Sequence, residues 1–231
     1  MNVDSLARLS ETISECRKCD RLVEWREKVA VEKRAAYRTQ EYWGRGVPGF
    51  GDPNAKVMII GLAPAAHGAN RTGRVFTGDR SGDFLFASLF RTGFANQPSA
   101  TDLHDGLALE DAYVTAAVRC APPANKPTPE ERDSCRPFIE KELELLGEVS
   151  VFVALGQFGY QVAASVLGIR PRPRFGHGVV VPIGVQERRP PRHVICSFHP
   201  SQQNTFTGRL TEVMLDEVFL AARDLAGLKR L

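Results

Sequence analysis

No stretch of this 231-residue chain approaches the roughly 18 consecutive apolar residues that a membrane-spanning helix needs. The opening residues, MNVDSLARLSETISECRKC, lack the apolar centre of a secretory signal. Cysteine is scarce: the five present are too few and too widely spread for a disulfide framework. There is no internal repeat and no low-complexity tract, and the composition argues against collagen, coiled coil, disorder and the secreted mini-protein class. A large excess of charge is also missing, because 30 Lys and Arg face 27 Asp and Glu for a net of +3. The expectation is one compact globular domain over residues 1–231, monomeric, without membrane association, in a reducing cytoplasmic compartment.

What charge there is lies unevenly. Residues 168–210 hold Arg170, Arg172, Arg174, Arg188, Arg189, Arg192 and Arg209 against Glu187 alone, while acidic residues gather at 101–150 and from Glu212 onward. A one-sided basic patch is the footprint of a polyanion binder, although a merely solvated arginine-rich face reads the same way.

Apolar runs at Lys56–Leu62, Ala112–Val118, Val149–Leu155 and His193–Phe198 read as buried strands. Helical spacing separates them at Gly82–Arg91, Pro129–Leu146, Gln157–Leu167 and Glu212–Leu225. Thr128, Pro129 and Glu131 form a capping-box start for the second of these. Alternation of this kind predicts an α/β fold with a parallel sheet, and Val179–Ile183 adds a short hairpin strand. Each main strand runs into a loop of unusual chemistry: GLAPAAHGANRTG, RCAPPANKPTP, GQFGY and HPSQQNTFTG. Ligands of open parallel sheets bind beyond the carboxyl ends of the strands, so the site is expected there.

Cys16 and Cys19 form a C-x-x-C pair, and Cys120 and Cys135 follow far along the chain. Four thiolates in a reducing compartment suit one metal site, either zinc or an iron–sulfur cluster, and spacing alone leaves both open. Cys196, inside the strand run HVICSF, reads as a small core residue.

In this order and spacing, CRKC at 16–19, GVPGFGD at 46–52, GLAPAAHGANRTG at 61–73, FTGDRSG at 76–82, RCAPPANKPTP at 119–129, Cys135 and HPSQQNTFTG at 199–208 resemble the uracil-DNA glycosylase superfamily. The resemblance is closest to its iron–sulfur type-B branch, family 5. It implies a three-layer α/β/α domain around a four-stranded parallel sheet. It also implies a [4Fe–4S] cluster on Cys16, Cys19, Cys120 and Cys135, and release of uracil and other deaminated bases from double- and single-stranded DNA. Such chemistry requires flipping the nucleotide into a pocket and stabilising an oxocarbenium-like sugar and a departing base anion.

The resemblance also distributes roles. Phe76 would stack on the base, and Asn125 would pair with its edge. His199 would donate to the leaving anion, in the manner of an oxyanion hole, with help from backbone N–H groups around Gly61, Leu62 and Ala63. Most branches place an acidic or amide residue in the first motif to position water, whereas this chain has Ala63 and Ala65. The role moves to Asp79. Ser201, Gln202, Gln203, Asn204 and Arg209 would meet DNA, and His67, Asn70 and Arg71 would line the pocket or touch the DNA backbone. Each residue has a plainer alternative: Phe76 as core aromatic, Asp79 as helix-start acid, Asn125 as turn former. Two other readings compete, a metal-stapled nucleic-acid-binding module without activity and a hydrolase of small nucleosides.

Overall fold

The computed structural model describes residues 2–184 and 192–229, so Glu187, Arg188 and Arg189 of the basic stretch lie outside the described residues. Strands β1 (Phe50–Gly51), β2 (Val57–Gly61), β3 (Ala112–Ala116), β4 (Val151–Leu155), β5 (Val180–Ile183) and β6 (Arg192–Ser197) form one sheet in the order β1-β3-β2-β4-β6-β5. The inner four, β3-β2-β4-β6, are mutually parallel, as the sequence pattern requires. Two antiparallel edge strands extend the four-stranded sheet expected from sequence to six: β1 against β3 and β5 against β6. Every residue of β2, β3 and β4 is buried, because both faces of the sheet are covered. β5 instead alternates exposed and buried residues, and its exposed Pro182 is tolerated because the strand is an edge.

The helices are α1 (Asn2–Ser14), α2 (Asp20–Glu32), α3 (Ala69–Thr72), α4 (Arg80–Arg91), α5 (Pro129–Leu145), α6 (Gly156–Val166), α7 (Gln202–Phe206) and α8 (Glu212–Leu225). Leu85, Phe86 and Leu89 of α4 and Leu215, Val218 and Phe219 of α8 pack with Ile59, Val114 and Val153 on one face of the sheet. On the other face Ile139 of α5 and Tyr160, Val162 and Ala163 of α6 join Met58, Ile60, Phe152 and Cys196. The capping box of α5 is formed, with Thr128 Oγ1 accepting from the Glu131 amide at 3.2 Å and Glu131 Oε2 accepting from the Thr128 amide at 2.7 Å. Among the described residues no helix is long and apolar enough to cross a membrane.

Helices α1 and α2 are absent from the sequence reading, for a physical reason. Among its described side chains α1 buries only Leu6 and Ile13, and α2 buries Arg26 beside Leu22, Val23 and Val29. A charged residue on the buried stripe and sparse apolar positions hide the helical period.

Strand order reverses between β2 and β4, so their connections leave the sheet on opposite sides and open a crevice at its carboxyl end. One buried ion pair secures the neighbouring loop. Arg119, just beyond β3, donates through Nη1 and Nη2 to Glu142 of α5 at 2.9 and 2.6 Å, both side chains being 1% exposed or less. Thr115 Oγ1 donates to the same carboxylate at 2.8 Å. Removing one partner of such a pair leaves an uncompensated charge inside the protein. Glu142→Ala is therefore expected to cost about 3–5 kcal/mol of unfolding free energy. Urea denaturation of both proteins measures this, and an unchanged midpoint would refute the anchoring role.

Candidate active site

Beyond the carboxyl ends of the parallel strands lies a cavity of about 220 Å³ lined by Leu62, Ala63, Ala65, Phe76, Asp79, Ser81, Asn125, His199 and Ser201. A cavity of roughly 150 Å³ already holds benzene, so this one suits a single heterocyclic base. The loops after β2, β3 and β6 all contribute, and the structure gathers Phe76, Asp79, Asn125 and His199 as the sequence pattern anticipates.

Phe76 is half-buried, packs on the core and also lines the cavity. Its backbone is left-handed, φ 52°, a strained conformation for an aromatic residue. Gly61 makes room for its ring, since a Cβ there would stand 2.6 Å from Phe76 Cε2. The Phe76 and His199 rings lie 5.8 Å apart at 34°.

Asp79 is the N-cap of α4. Its Oδ1 accepts from the Ser81 and Gly82 amides at 2.9 and 3.1 Å. Its other oxygen abuts Gly68, where a Cβ would come within 2.1 Å of Oδ2. Burial raises the Asp79 pKa, and the two amide donors oppose the shift. The capping function is thus real and leaves one carboxylate oxygen uncommitted to the cap. His199 follows β6, with its Cβ set against the glycine at 156 and its carbonyl accepting from Asn204 Nδ2 at 2.8 Å. Burial pushes its pKa down to about 4, so the ring is neutral at physiological pH. Asn125 ends a 3₁₀ turn, Pro123–Asn125, and sits exposed at the cavity mouth; Ala124 and Asn125 are both left-handed, at φ 52° and 55°.

The HPSQQN segment forms the short helix α7. Ser201 is its N-cap and lines the cavity, Gln202 and Gln203 are exposed, and the Asn204 amide is engaged with His199. At the end of α7 Phe206 is 68% exposed with the Arg80 guanidinium 5.5 Å over its ring, an apolar group passed over in the sequence reading. Arg209 is exposed and covers Phe198 at 4.6 Å. Two described arginines of the basic stretch, Arg172 and Arg192, stand away from the cavity. Arg172 shares a groove with Arg132 and Arg136 of α5, and Arg192 begins β6, about 20 Å of strand from His199.

His67, Asn70 and Arg71 are absent from the residues lining the cavity. They brace its loop instead: His67 Nδ1 lies 3.1 Å from the Tyr42 hydroxyl, Asn70 Nδ2 donates to the Arg26 carbonyl, and Arg71 donates to the carbonyls of His67 and Gly78.

The four cysteines expected to bind metal converge from three segments. Cys16 follows α1, Cys19 caps α2, Cys120 follows β3 and Cys135 lies on α5. Cys19, Cys120 and Cys135 pack with Leu22, Val118 and Ala63, and Cys16 is near enough to help raise the Cys19 and Cys120 pKa values, which burial raises most. Among the described residues no group of three His, Cys, Asp or Glu stands where it could hold a metal ion. The surroundings nonetheless favour an anionic group. Arg26, 1% exposed, donates from Nη1 to Cys120 Sγ at 2.9 Å, and its buried Nε has no hydrogen-bond partner. A guanidinium inside a protein needs nearby negative charge: Glu27 Oε1 stands 4.0 Å from Nη2, and metal-bound thiolates would add to it.

The half-buried, neutral His199 ties stability to pH. The unfolded chain takes up a proton near pH 6.5 and the folded one near 4. Stability from burying the neutral ring is complete above the unfolded value and is lost as pH falls toward 4. In an NMR titration the His199 ring is expected to stay neutral down to about pH 5, and a midpoint near the ordinary histidine value would overturn this.

Comparison with known proteins agrees with this architecture. The model of the "Uracil DNA glycosylase superfamily" matches residues 48–223. The "Type-5 uracil-DNA glycosylase" of Mycobacterium tuberculosis is 53% identical over 97% of this chain and 83% of its own length. That of Thermus thermophilus is 50% identical over 94% of this chain and 97% of its own. A "Type-4 uracil-DNA glycosylase" from Archaeoglobus fulgidus is more distant, 29% identical over 69% of this chain and 63% of its own length. With matches of that identity running nearly end to end, the chain belongs to the uracil-DNA glycosylase superfamily, on its type-5 branch.

Proposed function

We propose that this chain hydrolyses the N-glycosidic bond of uracil, and of other deaminated bases such as hypoxanthine and xanthine, in double- and single-stranded DNA. The product is an abasic site for base excision repair. The observation that carries the proposal is the base-sized cavity with Phe76, Asp79, Asn125 and His199 on its walls. The target nucleotide swings out of the helix into this cavity, at a cost of a few kcal/mol. Phe76 stacks on the base and Asn125 pairs with its edge from the mouth. The neutral His199 donates a hydrogen bond to the developing base anion, and the backbone around Gly61, Leu62 and Ala63 adds N–H donors. A donor in a water-poor pocket stabilises charge more than it would in bulk solvent, because less solvent screens it. Asp79, through the oxygen not used in capping, orients the attacking water and offsets the positive sugar. Ala63 and Ala65 leave the wall without polar selectivity, which favours acceptance of several bases. Ser201, Gln202, Gln203 and Arg209 face the strand around the gap, with Phe206 as the exposed ring able to insert between bases.

Cys16, Cys19, Cys120 and Cys135 hold a [4Fe–4S] cluster in this reading. Bound, it supplies four iron–thiolate bonds that clamp the N-terminal helices to the loop bearing Asn125, with no redox step in base release. Arg26 offsets the negative charge beside Cys120. Iron and sulfide analysis of anaerobically purified protein is expected to give about four of each per chain, with Cys135→Ala losing both. Zinc alone in the intact protein would overturn the cluster.

Base release is tested on a duplex with one uracil opposite guanine, followed by alkali. Strand cleavage at the uracil only after alkali is expected. His199→Ala should slow release about 10²–10³-fold, as loss of an anion-stabilising donor does. Asp79→Ala should slow it about 10²-fold or more, the usual reach of a group acting on a water proton. DNA binding with no release on any deaminated base would favour the inactive binding module.

A further inference from the structure

His177 lies outside the cavity wall, yet both of its ring nitrogens are committed. The Phe198 backbone N–H donates to Nδ1 at 3.1 Å, so Nδ1 carries no proton. Nε2 stands 3.2 Å from the Met214 carbonyl and must therefore carry it. These partners fix one tautomer and make the imidazole a bridge from the end of β6 to α8. The hairpin holds the bridge in place, with the Gly178 amide donating to the Cys196 carbonyl at 2.8 Å and the Cys196 amide to the Val179 carbonyl at 2.9 Å. The His177 ring lies 5.1 Å from that of Phe198, at 30°.

Phe198 immediately precedes His199. The last parallel pair of β6 is Ser197 with Leu155, so the Phe198 amide lies past the ladder and finds its acceptor on His177. The His199 carbonyl, on the other side, accepts from Asn204. The backbone that aims the His199 ring is thus tied at both ends by side chains. Burial holds the His177 pKa below its ordinary value, against the opposing pull of the Met214 carbonyl and Glu217, which keeps Nδ1 available as an acceptor at neutral pH.

We propose that His177 is a positioning residue for base release: by accepting from the Phe198 amide and donating to the Met214 carbonyl, it sets the direction from which His199 enters the cavity. The proposal rests on reading that cavity as the glycosylase site. Small misplacements of a reacting group cost rate more than affinity, since the bound base is held by other walls.

The two bonds are separable by substitution. The amide of Asn reaches the position of Nδ1 and keeps the acceptor for Phe198, while the amide of Gln reaches the position of Nε2 and keeps only the bond to Met214. On the uracil duplex, His177→Asn is expected to retain kcat within about threefold, whereas His177→Gln loses about ten- to a hundredfold in kcat at nearly unchanged KM. A Gln variant as fast as wild type, or an Asn variant as slow as Gln, overturns the proposal. Hydrogen exchange at the Phe198 amide gives a reading independent of activity: slow in wild type and Asn, fast in Gln. Equal exchange in all three also overturns it. Wild-type protein inactive on every deaminated base sinks the glycosylase reading instead, and the exchange measurement then still decides whether the bridge exists.

Discussion

The buried Arg119–Glu142 pair is the constraint on which the rest of the site depends. Arg119 directly precedes Cys120, and Glu142 lies seven residues after Cys135 on α5, two helical turns on and so on the same face. The pair therefore draws together the end of β3 and the helix face that carries Cys135. Between these two fixed points hangs the loop that carries Asn125. A fully desolvated ion pair is a poor source of net stability, but it tolerates only one geometry, because any displacement leaves a charge unpaired. That intolerance is what a residue on an exposed loop at the cavity mouth, as Asn125 is, requires of its support.

Three of the five described non-glycine residues with positive φ lie at or next to the cavity, the other two being Lys33 and Asp111. Phe76, Ala124 and Asn125 all adopt left-handed backbone conformations that residues with side chains avoid, and Gly61 and Gly82 leave no room for a Cβ beside Phe76. The surroundings hold Phe76 in place. Arg74 and Asp105 form a buried pair at 2.5 Å, and the Gly78 amide donates to the Ala100 carbonyl at 3.1 Å. Burial alone would raise the Asp105 carboxyl, yet Arg74 and the amides of Leu107 and Thr101 hold it well below the usual range. The segment near 100–107, distant in sequence from every motif, thus braces the Phe76 turn.

Much of the fold was legible because parallel strands covered on both faces must be continuously apolar, and runs such as KVMIIGL and VSVFVAL have few other uses. Thr128–Glu131 declared the start of α5 for an equally local reason. α1 and α2 were not legible, since Arg26 occupies the buried stripe of α2 and its partner, Cys120, stands 94 residues away. The basic stretch is spread out by the fold in a way that no local pattern shows. Adjacent arginines look like one surface, but β6 carries Arg192 to the end of the sheet remote from His199.

The sequence by itself determined which residues meet at the carboxyl end of the sheet, because strand polarity and the chemistry of each following loop are local properties of the chain. Only the tertiary structure decided their states. His199 is neutral because other segments exclude water from it, and Asp79 has one oxygen bound by α4 and the other pressed toward Gly68. His177 became a bridge only when β6 and α8 were brought to opposite sides of its ring. Burial and hydrogen-bond partnership depend on contacts between residues far apart in the chain, and no local pattern encodes them.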